Sequence, residues 1–259
     1  MLRRATLLVL ALAALRCGPP APPLPAGQGA RSQPPANAPH AGHHEHHEQA
    51  DGHAHAAGHA HGHQSPTAHH RFDDAERWSK VFDDPKRDAW QKPAEVVKEL
   101  ALAPGDVVAD LGAGTGYFAS RLARAVPQGK VLAVDIEPNL IEHMKKRAER
   151  EGTANVEPIL GSASDPKLPA GVNVVLVVDT YHHIGERTEY FKRVRTRLSA
   201  GGRVVIVDFK KGKFPVGPPD DHKLGPEVVE TEMNGAGYSR CKSFDGLPYQ
   251  YMLTFAEKC

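Results

Sequence analysis

The sequence predicts an α/β fold, a doubly wound and mostly parallel sheet preceded by a disordered N-terminal segment. Three observations predict it. Strand-length apolar runs begin at Val107, Val131, Val156, Val172 and Arg203, and helix-compatible stretches separate them. The first run passes through Asp110 into Gly112, Gly114 and Gly116 and then into the helix-compatible residues 118–126, the handover of a βα unit. Residues 172–178 are almost continuously apolar, as expected of a parallel strand covered on both faces.

Composition narrows the function classes. Charge is balanced, 32 Lys and Arg against 31 Asp and Glu in 259 residues, so no global field recruits nucleic acid. The three cysteines, Cys17, Cys241 and Cys259, are odd in number and lack ligand spacing, so neither a disulfide framework nor a zinc knuckle is expected. Histidine is the unusual component: of 16, twelve lie between His40 and His70.

Residues 1–17 read as an export signal. Arg3 and Arg4 precede the apolar run 6–15, which is too short to span a bilayer as an ordinary helix. Ala14-Leu15-Arg16-Cys17 resembles a bacterial lipoprotein cleavage box, which implies a lipidated Cys17, membrane anchoring through it and a cell-envelope address. Arg16 departs from the small residue of that pattern. Left unprocessed, the same start implies a chain that is cytoplasmic or anchored at the cytoplasmic face. Residues 18–70 are expected to form a disordered linker. Its first part, 18–39, is rich in Pro, Ala and Gly and cannot bury enough apolar surface to offset its ordering entropy. Its second part, 40–70, is either a solvated spacer or a loose metal-binding tract for zinc, nickel or copper, with His43, His44, His46, His47, His59, His61 and His63 as ligands. Acid would protonate those imidazoles and release the metal.

A globular domain is expected over 71–259. Its first block, 78–91, is aromatic and charged without a clear period and reads as a helical strap on the core. Pro93 suits the first turn of a helix running to about 101, and Pro104-Gly105-Asp106 turns the chain into the first strand. The glycine loop that follows is a ligand cradle, because backbone without Cβ atoms can approach a bound molecule closely and take positive φ. The second strand, 131–136, contains Asp135, near the distance at which a carboxylate accepts from ribose hydroxyls. Together these describe a pocket for an adenosine-type cofactor. The glycines fall as G-x-G-x-G, with Tyr117 where the third glycine of a dinucleotide site belongs. Asp110 would repel a pyrophosphate but welcome the cationic amino group of an amino-acid-like cofactor. That spacing disfavours a nucleotide-dependent oxidoreductase.

Asp110 to Gly116 followed by Asp135 resembles the cofactor site of the class I S-adenosylmethionine-dependent methyltransferases. Over 78–255 the chain looks most like the group that includes ubiquinone and menaquinone C-methyltransferases. The resemblance implies a Rossmann-like, seven-stranded sheet whose last two strands form an antiparallel edge hairpin. It implies S-adenosylmethionine as cofactor, approached by Gly112, Ala113, Gly114 and Gly116, with its amino-acid moiety at Asp110, its ribose at Asp135 and its adenine against Ile136. It implies methyl transfer, by in-line displacement, to a small-molecule acceptor that the residues do not identify. A segment before the first sheet-bound helix often closes over the cofactor in this family, which would let Arg87 or Gln91 meet its carboxylate.

The remaining elements follow in order. Residues 140–151 predict a helix with Ile141, Met144 and Ala148 on one face and His143 on its solvated side. The third strand, 156–160, leads to Ser162, Ala163 and Asp165, which border the adenine if the resemblance holds. The fourth, 172–178, delivers Asp179, Thr180, Tyr181, His182 and His183 to the sheet edge where ligands bind in open α/β folds. Asp179 is assigned to cofactor contact as well as to the methyl-transfer surface. Asp179, His182 and His183, with His222 from a later loop, are candidates for acceptor orientation or proton transfer, and for both paired histidines a scaffold role stays open. A helix over 187–198 precedes a turn at 198–202 and the fifth strand. The Pro/Gly-rich segment 210–224 is either a lid or an irregular surface loop, its Lys210, Lys211 and Lys213 able to attract an anionic substrate. A helix over 226–235 and strands at 242–244 and 251–255 complete the domain. One alternative is an exported metal-binding protein with a non-catalytic methyltransferase-like module, motivated by the export-type start. A metalloid acceptor is disfavoured, because no cysteine lies at the expected pocket.

Overall fold

The computed structural model describes residues 75–259. The export-type start and the linker with its histidine tract, expected over 1–70, lie outside the described residues.

Three helices open the domain: α1 (Ala75–Phe82), α2 (Arg87–Gln91) and α3 (Pro93–Glu99). Together α1 and α2 form the expected strap. α1 fully buries none of its residues; its half-buried Ala75, Trp78, Ser79 and Phe82 recur at helical spacing along one face. α3 starts on Pro93, whose fixed φ suits a first helical turn, and buries Pro93 and Val96.

Five strands follow, separated by helices except between the third and the fourth. They are β1 (Val107–Leu111), α4 (Ala119–Ala125), β2 (Lys130–Asp135), α5 (Pro138–Glu151), β3 (Val156–Leu160), β4 (Val172–Val178), α6 (Arg187–Arg195) and β5 (Leu198–Phe209). Helix α7 (Pro226–Gly235) and strands β6 (Ser239–Phe244) and β7 (Gln250–Ala256) follow, the 3-10 turns Tyr181–His183 and Asp220–His222 lying in the connections. The seven-stranded sheet has the order β3-β2-β1-β4-β5-β7-β6. Pairs among β1 to β5 are parallel, whereas β7 runs antiparallel to both β5 and β6.

Period-two alternation sorts the side chains into two cores. Val175 and Val177 of β4 join Phe191, Val194, Val229 and Met233 of α6 and α7 on one face. Val174 and Leu176 join Val96, Leu122 and Met144 of α3, α4 and α5 on the other. A sheet covered on both faces explains why these strands read as unbroken apolar runs. On α5, Ile141 and Met144 are buried as expected, while Ala148 and His143 are only half-buried.

Two sequence expectations are corrected. Residues 199–202 do not end a helix-to-strand connection; they loop out within β5, where Val172 pairs with Leu198 but Val174 with Arg203. Cys241 and Cys259 form a disulfide, although none was expected. An odd cysteine count hid a pair that the fold brings together beside the edge strand β6.

Candidate functional site

Strand order reverses between β1 and β4, so the loops leaving their carboxyl ends diverge and open a crevice there. The loop after β1 needs its glycines. Gly112 takes φ 73, and a Cβ there would lie 2.3 Å from Thr180 Oγ1, so the β1 loop and the end of β4 touch only because that side chain is missing. Gly114 takes φ 58, with the Phe82 ring 3.5 Å from its ideal Cβ position, which sets α1 directly over the loop. The Ala113 amide bonds Val134 O, fixing the loop's entry against β2.

Four carboxylates face this crevice or its floor. Asp110, only 2% exposed, points toward the start of α4, where the Ala119 amide bonds it. Its Oδ2 is a buried oxygen with no hydrogen-bond partner. Burial raises the Asp110 carboxyl to about 7, the Arg87 guanidinium working against that rise and Asp135 adding to it. Asp135 lies at the end of β2; its Oδ2 accepts from the Gly114 amide at 2.9 Å and its Oδ1 from the Glu137 amide at 3.0 Å. Burial raises its pKa too, opposed by those amides. Beyond it, Ile136 is 54% exposed, and Leu160, paired in register with Asp135, is 44% exposed. They form an apolar rim beside the loop.

Asp179 ends β4 with φ 52, a left-handed conformation uncommon for a residue with a side chain. Gln250 donates to its Oδ1, and Arg87 Nη2 stands 3.6 Å from its Oδ2. Burial raises Asp179 to about 7, with Arg87 again the main opposing charge. His182 is 4% exposed, and its Nδ1 lies 2.9 Å from both oxygens of Asp208, which is itself fully buried. Burial disfavours the charged imidazole, but the Asp208 bond and charge outweigh it and raise the His182 pKa. The His183 ring lies against His182 with centroids 4.2 Å apart and planes tilted by 39°, and it is half-buried.

The strap is tied down beside this crevice. Asp83 Oδ1 accepts from Thr115 Oγ1 at 3.0 Å and from Arg147 Nη1 at 2.7 Å. Asp88 bonds the Tyr117 hydroxyl, and the Tyr117 ring lies between the guanidinium groups of Arg87 and Arg121, at 4.2 and 3.9 Å.

The structure therefore brings Asp110, Asp135, Asp179, His182 and His183 to one sheet edge and treats the other candidates differently. Ser162 bonds Asp165 O through both its amide, at 2.8 Å, and its hydroxyl, at 3.2 Å, which closes a local turn and leaves Ala163 exposed at its tip. His222 is half-buried in its own 3-10 turn, its amide on Pro219 O. The segment read as either a lid or an irregular surface loop is pinned at several points: Lys210 Nζ bonds Leu247 O at 3.0 Å, Lys211 Nζ bonds Asp220 O at 2.9 Å, and Lys223 lies over the Phe214 ring. Of the basic trio, only Lys213 lacks such a carbonyl contact among the described residues. Asp208 and Gln250 were not foreseen; each is a polar residue at the end of an apolar strand run, and that interruption was the available signal. Among the described residues, no cluster of three His, Cys, Asp or Glu side chains is arranged to hold a metal, and no helix is long and apolar enough to cross a membrane.

Residues 102–255 match a family model described as a methyltransferase domain. The arsenite methyltransferase of Halobacterium salinarum is 32% identical over 139 residues, 52% of this chain and 34% of that protein. The aklanonic acid methyltransferase DauC of a Streptomyces strain is 32% identical over 130 residues, 48% of this chain and 59% of that protein. The chain thus spans between 34% and 59% of the length of these two relatives. Among solved structures, a SAM-dependent methyltransferase from Aquifex aeolicus has a TM-score of 0.66 at 24% identity, covering 70% of this chain and 97% of its own. The magnesium protoporphyrin IX methyltransferase of Synechocystis PCC 6803, solved with bound SAM, has a TM-score of 0.54 at 16% identity, covering 70% and 89%. At such identities these two similarities concern the fold.

Proposed function

The chain belongs to the class I S-adenosylmethionine-dependent methyltransferases, and from that premise we propose that it binds S-adenosylmethionine and methylates a small-molecule acceptor. The observation that carries this reading is the unpartnered Oδ2 of buried Asp110 beside a glycine loop. A buried carboxylate oxygen without a donor is costly, and a ligand ammonium would satisfy it. The donor set fits the cofactor in other respects. Asp135 accepts from the backbone amides of Gly114, Glu137 and Ile136, and the four lone-pair sites of its two oxygens leave room for a ribose hydroxyl. Ile136 and Leu160 offer apolar surface to an adenine, and Gly112, Ala113, Gly114 and Gly116 allow the close approach.

S-adenosylmethionine supplies a methyl group already activated on a sulfonium. The protein's own task is to hold its partners aligned and to exclude water. Asp110 and Asp179 provide negative charge for an ammonium, and Arg87, facing both, provides the cation for a carboxylate. Asp208 fixes His182 Nδ1 and so orients the turn that presents His183. Removing a proton from an acceptor falls to Asp179 or His183 on this reading, with His182 in support.

We place the mature protein in the cell envelope. Two features support this address: the export-type start and the Cys241–Cys259 disulfide, since exposed cysteine pairs stay reduced in the cytosol. A supply of S-adenosylmethionine, made in the cytoplasm, is then the point at which a non-catalytic binding module with a metal-loaded histidine tract would differ. Calorimetry on the full chain with S-adenosylmethionine and NAD separates these readings. We expect binding of the first alone, weakened by about 1 to 3 kcal/mol in Asp135→Ala through loss of charged hydrogen bonds. Equal affinity for variant and parent removes Asp135 from the site, and no binding at all removes the proposal.

A further inference from the structure

Two buried and two half-buried side chains from three parts of the chain close a ring at this sheet edge. Arg87 Nε and Nη2 donate to Gln91 Oε1 at 3.3 and 3.2 Å. Gln91 Nε2 donates to Gln250 Oε1 at 2.7 Å, and Gln250 Nε2 donates to Asp179 Oδ1. Asp179 Oδ2 and Arg87 Nη2, 3.6 Å apart, complete the circuit. Chemistry fixes its direction. A guanidinium only donates and a carboxylate only accepts, so each amide has one orientation that satisfies both neighbours. Gln91 and Gln250 are 0% exposed.

The ring joins α2 of the strap, the end of β4 and the first residue of β7. Its one link too long for a hydrogen bond is Arg87 to Asp179, the two groups that face the crevice charge to charge. Fold packing alone does not call for such a ring, because apolar side chains of the same volume would fill the space without desolvating two amides and an ion pair. Nor does it call for a left-handed Asp179, a conformation that persists only where the surroundings hold it.

Resting on the reading of this crevice as the cofactor site, we propose that Gln250 is a positioning residue, aiming the Asp179 carboxylate into the crevice and, through Gln91, latching α2 across it. Ligand entry then acts on one joint, the Arg87–Asp179 gap, while Gln250 and Gln91 keep both sides in place. Asp179 is faced by Arg87 from α2, His182 from the 3-10 turn, Asp208 from β5 and Gln250 from β7. Gln250 is its uncharged donor among them, so its removal should push Asp179 further up.

The test is hydrogen exchange by mass spectrometry on the full chain and its Gln250→Leu, Gln91→Leu and doubly substituted forms, with S-adenosylhomocysteine affinity measured against pH. Each single variant should speed exchange at 87–91 about tenfold, the scale of one lost buried hydrogen bond, while β1 and β4 keep parental protection. The double variant should be no faster than either single one, because both cut the same circuit. The acid limb of the affinity profile should move to higher pH in Gln250→Leu, which strips a donor from Asp179, and stay in place in Gln91→Leu. Parental exchange at 87–91 in both single variants, or strictly additive effects, overturns the proposal. Should Gln250→Leu not fold, Gln250→Met, unbranched and close to glutamine in length, removes both the acceptor for Gln91 and the donor to Asp179 and reads the same contrast. If the parent ignores S-adenosylhomocysteine while exchange behaves as described, the latch stands and the cofactor assignment falls.

Discussion

Replacing Asp110 with Asn tests the site through stability as well as binding. The native state holds this carboxyl at about 7 against an ordinary 3.8, so folding raises its pKa. A raised pKa means that the folded protein grips the proton more tightly than the unfolded chain. The stability this contributes is complete below the ordinary value and is lost as pH climbs from about 4 through 7. Three units at about 1.4 kcal/mol each put the loss near 4 kcal/mol at pH 8. Asn carries no charge, so this loss does not occur in the variant. It does leave an amide donor where Oδ2 found no partner, which returns about 1 to 3 kcal/mol of cost. The ligand-free variant should therefore be more stable than the parent at pH 8 by about 1 to 3 kcal/mol, or several degrees in melting temperature for a domain this size. Below pH 5 the order should reverse. Asp179, also near 7, keeps its own share of the pH dependence in both proteins. Melting followed from pH 4 to 9, with and without S-adenosylmethionine, reads both halves: the parent should gain from ligand at pH 8 and the variant should not. Parallel pH curves with equal ligand-induced gains would refute the assignment.

Asp208→Asn should cost about 3 to 5 kcal/mol in urea unfolding at pH 6, because a buried partner of His182 is lost. His182 has a raised pKa, so the charged pair stabilises fully below the ordinary histidine value and less as pH passes above its folded value; the cost should shrink at pH 9, and equal costs at both would argue against a charged pair. Cys241→Ser opens a loop of sequence separation 18 and should lower stability by about 3 kcal/mol. Reductant should bring the parent down to the variant's melting temperature, and a parent indifferent to reductant contradicts the bond.

The parallel sheet was legible because its residues do one thing. Residues 172–178 are buried on two faces at once, so no polar side chain breaks the run and the strand has no competing reading. The glycine loop was legible for a related reason, since Gly112 admits no other residue beside Thr180. What stayed hidden depends on distant partners. α1 and α2 are too short for a period to stand out in the sequence, and they are fixed by single contacts such as Asp83 to Thr115 and Gln91 to Gln250. Asp208 lies in an otherwise apolar strand and acquires a role only when the turn at His182 folds over it. Gln250 likewise depends on residue 91, a separation of 159 positions. The sequence also did not show the local turn at Ser162, whose hydroxyl meets the Asp165 carbonyl three residues on.

The rim formed by Ile136 and Leu160 has a thermodynamic consequence. Two hydrocarbon side chains, 54% and 44% exposed, are wetted in the ligand-free protein. Any molecule that covers them releases that water, and the heat capacity of the system drops on association. The heat evolved per mole bound must then grow as the titration is warmed, by the amount that the dried apolar area outweighs the opposite contribution of the polar surface covered with it.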